Sequence, residues 1–334
     1  MPHVLVTGAS GFIGPSLVAA LRTAGHDVSC LVRPTSSIAR LQPLGVNLVT
    51  GDVNHFESLS TAVGSADCVY HLAGRTHAWS RKMFLQANER GTQNLLEACA
   101  RRDNPPTVVV VSSLAAAGPA NATQPKREHE PETPVSHYGH SKLAGERAAR
   151  SYADKLPISI VRPPVVFGPG DRDGLVMFRG INRTGLHVVL RGQELPLSLI
   201  SSPDLAAALL LVGESGERLA PEGEKGRGVY HVADPQIVPY AELGQLAAVA
   251  LNRRVRIVKL RKWAFAIAAS WGEVAGRARR KPALVTFDKL REATAGGWVC
   301  STEKIQTHLG FAPALPLSER YRETVEWYRA EGWL

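Results

Sequence analysis

The spacing of three glycines near the start of the chain constrains its fold more than any other feature. In the stretch VLVTGASGFIG, from Val4 to Gly14, the glycines follow directly on a run of β-branched and aliphatic residues. Ordering a glycine costs conformational entropy, so a fixed spacing of three indicates a sharp turn or a backbone that a ligand approaches closely. A strand, a glycine turn and a helix in this order are typical of a unit that binds a dinucleotide pyrophosphate at the helix N-terminus.

Each glycine has its own expected role. We expect a strand that ends at Thr7, a turn opened by Gly8, and bare backbone at Gly11 where the pyrophosphate lies. Gly14 then lets the following helix pack closely on the sheet. The other loop residues expected to contact the cofactor are Ser10, Phe12 and Ile13. A tight structural turn without a ligand is the alternative, and the flanking strand and helix favour dinucleotide binding over it.

Strands and helices alternate along the first half of the chain. Short apolar runs such as TVVVV and ISIV are separated by longer segments with helical periodicity. Such alternation predicts right-handed βαβ units, and nearly continuous apolar runs are what strands buried on both faces need. We therefore predict an α/β fold, with a Rossmann-like doubly wound parallel sheet and a smaller mixed α/β C-terminal substrate lobe.

After Gly168 the pattern breaks into shorter pieces rich in glycine and proline. We predict a dinucleotide-binding domain over residues 1–168, joined by a strand at about 226–234, and a substrate-binding lobe over 169–225 and 235–334. Helices are expected in the segments SPDLAAALLLV, YAELGQLAAVALN and SERYRETVEWYRAEGW. The segment 118–137 is polar and rich in proline, so we expect a loop there, with Glu128, His129 and Glu130 on its surface.

Net charge and cysteine content limit which ligands and which cellular compartment are expected. The formal charge is +9, but the basic residues are spread along the chain without zinc-finger spacing, so a small anionic ligand is expected rather than nucleic acid. The four cysteines, Cys30, Cys68, Cys99 and Cys300, form no CxxC pair, which favours buried reduced thiols. With no signal-peptide pattern and no membrane-spanning run, a cytoplasmic protein is expected.

The end of the second predicted strand bears on the choice of cofactor. The segment SCLVRPTSS carries no acidic residue for a ribose diol but has Arg33, followed by Ser36 and Ser37, which favours NADP over NAD. The alternative is an exposed arginine without a ligand. Asp52, followed by Val53, is expected either to hydrogen-bond the adenine amino group or to cap the next helix.

A tyrosine and a lysine four residues apart give the site its chemistry. Tyr138 and Lys142 in YGHSK lie at the start of a predicted helix and point from one face. A lysine cation beside a phenol favours the phenolate, so we expect the pKa of Tyr138 to fall toward the range for proton transfer at neutral pH. Ser113 ends the strand TVVVVSS at the edge of the sheet where ligands bind, and completes a candidate site.

The motifs TGASGFIG, YHLAG, VVVVSS and YxxxK occur in this order, and the chain resembles the extended short-chain dehydrogenase/reductase superfamily, the NAD-dependent epimerase/dehydratase-like proteins. The resemblance implies that Tyr138 is the general acid/base, that Ser113 orients the substrate oxygen, and that Lys142 holds the nicotinamide ribose while lowering the tyrosine pKa. It also implies further cofactor contacts along two segments. These contacts are Leu72, Ala73, Gly74, Pro163, Val165 and Val166.

Departures from the family pattern point to one branch. Val165 stands where nucleotide-sugar enzymes usually have asparagine, and Leu114 and Ala115 stand where dehydratases usually have an Asp-Glu pair. The pattern is closest to the branch of 3β-hydroxysteroid dehydrogenases and dihydroflavonol reductases. We therefore expect an NADP-dependent oxidoreductase that interconverts a secondary alcohol and a ketone on a steroid-, flavonoid- or β-hydroxy-acid-like substrate.

Several alternatives stay open. One is a nucleotide-sugar epimerase with tightly bound NAD, and another is a non-catalytic NADPH-sensing or scaffold protein. The segment 262–281, with Trp263, Phe265 and Trp271, is expected to be a lid, part of the core or a membrane-surface contact. No metal is expected because no spacing brings three ligands together, and the family resemblance implies a homodimer.

Overall fold

The computed structural model of the chain describes residues 1–221, 224–267, 270 and 287–334. The strands of the first half, and one later strand, are β1 His3–Thr7, β2 Asp27–Val32, β3 Asn47–Thr50, β4 Cys68–His71, β5 Thr107–Val111, β6 Ile158–Arg162 and β11 Val229–His231. Within the described residues they form a seven-stranded sheet of order β11-β6-β5-β4-β1-β2-β3. All of its pairings are parallel, as predicted for a doubly wound fold.

Helices cover both faces of this sheet. They are α1 Gly14–Thr23, α2 Phe56–Val63, α3 Arg81–Leu85, a π-helical turn Gln86–Arg90, α4 Gly91–Ala100, α5 Leu114–Ala117, α6 His137–Arg150 and α8 Ser202–Ser215. Alternate strand residues divide between two cores, since Val4 and Val6 pack in one with Leu17 of α1. Leu5 packs in the other with Leu95 of α4. This division is why the strands read as continuous apolar runs.

The C-terminal lobe is built from short elements around an aromatic core. They are β7 Val165–Phe167, α7 Leu175–Thr184, β8 Leu186–Leu190, β9 Pro196–Leu197, β10 Leu199–Ser201, β12 Val238–Pro239, α9 Tyr240–Leu251, β13 Arg256–Leu260, α10 Phe287–Ala293, α11 Glu303–Leu309 and α12 Leu317–Ala330. Tyr321 of α12 packs on Phe167 at 4.6 Å and on Phe178 at 5.7 Å between ring centroids. Leu114 and Ala115 of α5 join this core, so the lobe packs directly behind the end of β5.

The polar segment 118–137 is more deeply embedded than the sequence suggests. The prediction that Glu128 lies on the surface is wrong, because its carboxylate is buried and accepts a hydrogen bond from the backbone N–H of His231 at 3.0 Å. Lys126 is buried as well, and its backbone pairs with Cys300. Burial raises the pKa of Glu128 above its usual range. The segment 118–137 therefore connects β11 to the segment around Cys300.

The cysteines are free thiols in the structure. Burial raises the pKa of Cys30, Cys99 and Cys300 to about 12, and that of the half-buried Cys68 to about 11. None of the helices in the described part of the chain is both long and apolar enough to cross a bilayer.

Two helical glycines allow a matched test of the packing of α1. A Cβ at Gly14 would overlap the backbone carbonyl of Ala9, whereas a Cβ at Gly180 in α7 would meet nothing within 4 Å. We expect Gly14→Ala to lower the free energy of unfolding by about 1 to 3 kcal/mol, because backbone cannot move aside. Gly180→Ala should raise it by up to about 1 kcal/mol through helix propensity. Urea unfolding followed by circular dichroism measures both, and equal effects would contradict the close approach at Gly14.

Candidate active site

The glycine loop after β1 presents bare backbone at the carboxyl edge of the sheet. Gly8 has a φ of +73°, and a Cβ there would lie 2.6 Å from the backbone nitrogen of Ala73. The N–H of Gly11 donates to the carbonyl of Gly8 at 2.9 Å, and a Cβ at Gly11 would meet only that oxygen, at 3.1 Å. The space above Gly11 is therefore open, and the loop fits a group that must approach the main chain.

The N-terminus of α1 faces this open space. Ile13 occupies the N-cap position, and no side chain of the described residues caps the helix. The first N–H groups of α1 are left for an anion, which the positive end of the helix dipole also favours. The loop and helix therefore fit the pyrophosphate of a dinucleotide.

Arg33 directly follows β2 and is exposed. A turn holds it there, since its N–H donates to Ser36 Oγ at 3.2 Å and its carbonyl accepts from Ser36 N–H at 2.9 Å. Asp52 accepts from the backbone and side-chain nitrogens of Asn54, at 2.9 and 2.8 Å. His55 holds the N-cap position of α2, so the helix-cap alternative for Asp52 is wrong.

Arg40 is a residue of this region that no sequence motif indicated. Its guanidinium donates to the carbonyl of Phe12 in the glycine loop at 3.4 Å and to that of Pro169 at 3.0 Å. It also lies 5.2 Å from the ring centroid of Trp327 in α12. Arg40 thus connects the glycine loop to the C-terminal lobe.

His71 at the end of β4 takes part in a directed hydrogen-bond chain. The Thr92 hydroxyl donates to the Asn88 carbonyl at 2.8 Å, so it accepts from His71 Nε2, 3.0 Å away. His71 Nδ1 then accepts from the Thr7 hydroxyl at 2.7 Å. Burial lowers the pKa of His71 to about 3 and keeps the ring neutral. His71 therefore fixes the strand end that leads into Leu72, Ala73 and Gly74.

The two serines after β5 have different surroundings. Ser112 is buried, and its hydroxyl donates to Glu146 Oε1 at 2.6 Å. Ser113 caps α5, accepts from the N–H of Ala115 at 3.2 Å and lies close enough to the Tyr138 phenol to act against the rise in its pKa. The structure thus brings Ser113, and not Ser112, to Tyr138.

Lys142 lies one helical turn beyond Tyr138 on α6. Its ammonium donates to the carbonyl of Val111 at 2.8 Å, and a Cβ at Gly74 would lie 3.5 Å from it. Burial lowers the pKa of Lys142 to about 8, although the nearby Glu146 carboxylate opposes the change. The ammonium therefore sits between the end of β5 and the segment after β4, where a cofactor ribose would lie.

The ionisation of Tyr138 differs from the expectation that Lys142 lowers its pKa. Burial of the phenol raises the pKa of Tyr138, while the hydrogen bond from Ser113 and the charge of Lys289 act against this rise and Glu292 adds to it. Lys289 Nζ lies 5.5 Å from the Tyr138 ring centroid. A lysine from the far end of the sequence thus faces the tyrosine.

Two carboxylates of helix α10 accept hydrogen bonds from the N-terminus of α6. Asp288 accepts from the backbone N–H groups of His137 and Tyr138, at 2.8 and 3.3 Å. Glu292 accepts from Ser136 Oγ at 2.7 Å and pairs with Lys289 at 2.9 Å. These carboxylates lie about 150 residues from their partners in sequence, so no local pattern could have indicated them.

A buried ion pair fixes α6 against the sheet. Arg162 of β6 donates from Nε to Glu146 Oε1 at 2.8 Å and from Nη2 to Oε2 at 2.6 Å, with both side chains fully buried. Glu132 accepts from the same Nη2 at 3.0 Å. Because Ser112 also donates to Glu146, one carboxylate joins the helix of Tyr138 and Lys142 to the strand end of Ser113.

The segment after β6 is apolar where it passes α5. Pro163 is buried and its carbonyl accepts from the N–H of Leu114 at 2.8 Å, Val166 is half-buried, and Val165 of β7 is 43% exposed. In the segment 262–281, Trp263 is exposed and Phe265 is half-buried, whereas Trp271 lies outside the described residues.

A family comparison agrees with this site. The model of the NAD dependent epimerase/dehydratase family matches residues 4–230, which span the glycine loop, Ser113, Tyr138, Lys142 and β11. The chain belongs to this family. Members are generally NAD(P)-dependent enzymes, and at this coarse level the chain is an enzyme of oxidoreductase type.

Individual members of the epimerase/dehydratase family are similar over almost the whole chain. The chain is 29% identical to a ceramide reductase of Caulobacter vibrioides over 99% of its length and 96% of that protein. It is 28% identical to a 2-alkyl-3-oxoalkanoate reductase of Stenotrophomonas maltophilia, over 96% and 97% of the two chains. The crystal structure of UDP-glucose 4-epimerase from Thermus thermophilus with NAD has the same fold, with a TM-score of 0.77, 22% identity, and 98% and 99% coverage.

The ion pair behind the site predicts a large stability effect. Glu146→Gln removes the fully buried charge partner of Arg162 and leaves the guanidinium only the half-buried Glu132, so we expect a loss of about 3 to 5 kcal/mol in the free energy of unfolding. The exposed pair of Glu303 and Arg127 is the control, where Glu303→Gln should cost less than about 1 kcal/mol. Denaturant unfolding compares the two variants, and a small effect at Glu146 would show that the pair does not hold α6.

The position of Lys289 beside Tyr138 leads to a prediction about the pKa of the tyrosine. Lys289→Met removes a cation that favours the phenolate, so the pKa of Tyr138 should rise further. Lys142→Met should change it less in the cofactor-free protein, because the Lys142 ammonium is bonded to Val111. Carbon-13 NMR of ring-labelled tyrosine follows the titration, and Tyr138→Phe identifies the signal. A larger effect of Lys142→Met would contradict this arrangement.

Proposed function

We propose that the protein is an NADP-dependent oxidoreductase that interconverts a secondary alcohol and a ketone on a hydrophobic substrate. The Ser113 and Tyr138 side chains, brought together at the carboxyl edge of the sheet, carry the proposal. A proton donor paired with a second hydroxyl matches the needs of a carbonyl oxygen, and the exposed apolar side chain of Val165 on β7 favours a hydrophobic substrate.

The residues divide the chemistry among them. A bound nicotinamide dinucleotide would supply or accept the hydride at its C4. Ser113 would orient the substrate oxygen, and Tyr138 would give its phenolic proton to that oxygen as the carbon is reduced. Lys142 would bind the nicotinamide ribose hydroxyls. The raised pKa of Tyr138 keeps the phenol protonated at neutral pH, which is the form that ketone reduction requires.

Three side chains near the candidate site support the choice of substrate class. Val165 offers no amide to bind a sugar phosphate, and Leu114 and Ala115 are buried and offer no extra acid or base for eliminating water. The names of two chain-length relatives, a ceramide reductase and a 2-alkyl-3-oxoalkanoate reductase, agree with an alkyl-chain substrate. A ketone flanked by alkyl chains is therefore the substrate that we propose.

Arg33 is the basis for proposing NADP. Its guanidinium is exposed at the end of β2, where the adenosine ribose of a dinucleotide on the glycine loop would lie. Arg33→Gln should weaken NADPH binding about 10- to 100-fold, the loss of one charge-assisted contact, and leave NADH binding unchanged. Fluorescence titration of the purified protein measures both, and Arg183→Gln, a change at another exposed arginine, is the control.

Turnover is tested separately from binding. Tyr138→Phe should retain NADPH affinity while its reduction of long-chain 3-oxo acids and 3-oxo lipid analogues falls by at least about 100-fold. Release of tightly held NAD on denaturation, together with an Arg33→Gln variant that loses no NADPH affinity, would overturn the proposal in favour of a nucleotide-sugar epimerase. Full turnover by Tyr138→Phe would overturn the role of the tyrosine.

A further inference from the structure

A small sheet in the substrate lobe turns an apolar face outward. Strands β8 and β13 pair in parallel with Leu186 beside Arg256, Val188 beside Val258, and Leu190 beside Leu260. Leu186, Val188 and Leu260 are exposed, whereas His187 and Val189, which point to the opposite side, are buried. We call the outward residues Leu186, Val188, Leu190, Val258 and Leu260 the β8–β13 face.

The apolar surface continues along the chain after β13. Trp263 is 63% exposed and Ile267 is 51% exposed, and both follow Leu260 within two helical turns. An exposed tryptophan beside exposed aliphatic residues is typical of contact with another phase or partner, because single scattered apolar residues are the norm elsewhere on a surface.

The same segment carries a dense positive charge. Six of the ten residues from 253 to 262 are basic and none is acidic. They are Arg253, Arg254, Arg256, Lys259, Arg261 and Lys262, and all six are exposed. Arg253 Nε hydrogen-bonds to the neutral side chain of Asn182, at 3.4 Å. Within the described residues, none of the six forms an ion pair with a carboxylate.

We propose that the β8–β13 face, together with Trp263, Ile267 and the six basic residues, docks on the surface of an anionic lipid bilayer. Apolar side chains enter the acyl boundary while arginine and lysine remain at the headgroups, so one surface satisfies both sets of groups. A second copy of this chain fits less well, because a two-fold contact through this face would bring two sets of six cations together. Nucleic acid would match the charge but leave the aliphatic face uncovered.

Vesicle sedimentation with the full-length protein tests the proposal. Binding is measured to phosphatidylcholine vesicles with and without phosphatidylglycerol. We expect binding only to the anionic vesicles, and its loss at about 1 M salt, where the Debye length is about 3 Å. The triple variant Arg254→Gln, Arg256→Gln, Arg261→Gln should lower the partition coefficient about 100-fold. The control removes three exposed cations elsewhere, by Arg81→Gln, Lys82→Gln and Arg90→Gln, and should change it little.

The apolar contribution is tested with Trp263 and Trp79, two exposed tryptophans of the described residues. Trp263→Ser should weaken binding to anionic vesicles and remove the blue shift of tryptophan fluorescence, whereas Trp79→Ser, at 41% exposure, should do neither. Circular dichroism of each variant excludes unfolding as the cause.

Several results would overturn the proposal. These are absence of vesicle binding, equal loss in the control triple variant, or dissociation of a dimer by Trp263→Ser without any vesicle binding, which would assign the face to a second copy. Displacement from vesicles by a DNA duplex that also binds through the same basic residues would assign the charge to nucleic acid. Vesicle binding requires no substrate or cofactor, so the result is independent of the proposed redox function.

Discussion

The fully buried ion pair between Arg162 and Glu146 is the interaction on which the site depends most. Two charges in the interior are tolerated only with close geometry and with further hydrogen bonds, here from Ser112 and to Glu132. The pair joins β6 to α6 and, through Ser112, to the end of β5. Because Ser113 follows Ser112 and because Tyr138 and Lys142 lie on α6, one electrostatic contact sets the relative position of all three side chains.

The sequence predicted the sheet and the glycine loop well because both depend on local rules. Short continuous apolar runs, a glycine turn and a helix N-terminus indicate β1, the loop and α1 without help from distant residues. The strand near 226–234 was predicted too, and β11 completes the sheet beside β6. The choice of Ser113 over Ser112 came from the family pattern, and its physical basis is that Glu146 already binds the other hydroxyl.

What the sequence could not predict depends on contacts across long separations. Glu128 and Lys126 lie in a polar, proline-rich segment and would be solvated by any local rule, yet backbone groups of β11 and of the segment near Cys300 bury them. The sequence around Asp288, Lys289 and Glu292 is that of an ordinary charged helix. Only the tertiary fold brings them onto the N-terminus of α6, where they change the surroundings of Tyr138.

Burial moves three titratable groups of the site toward their neutral forms. It raises the pKa of Tyr138, lowers that of Lys142 to about 8 and lowers that of His71 to about 3. A common direction in groups of opposite charge type means that removal from water, and not a single neighbouring charge, dominates the electrostatics here. Such a site is costly for a charged sugar phosphate without a dedicated partner, and Val165 supplies none. The neutral, apolar ketone that we propose as the substrate avoids that cost.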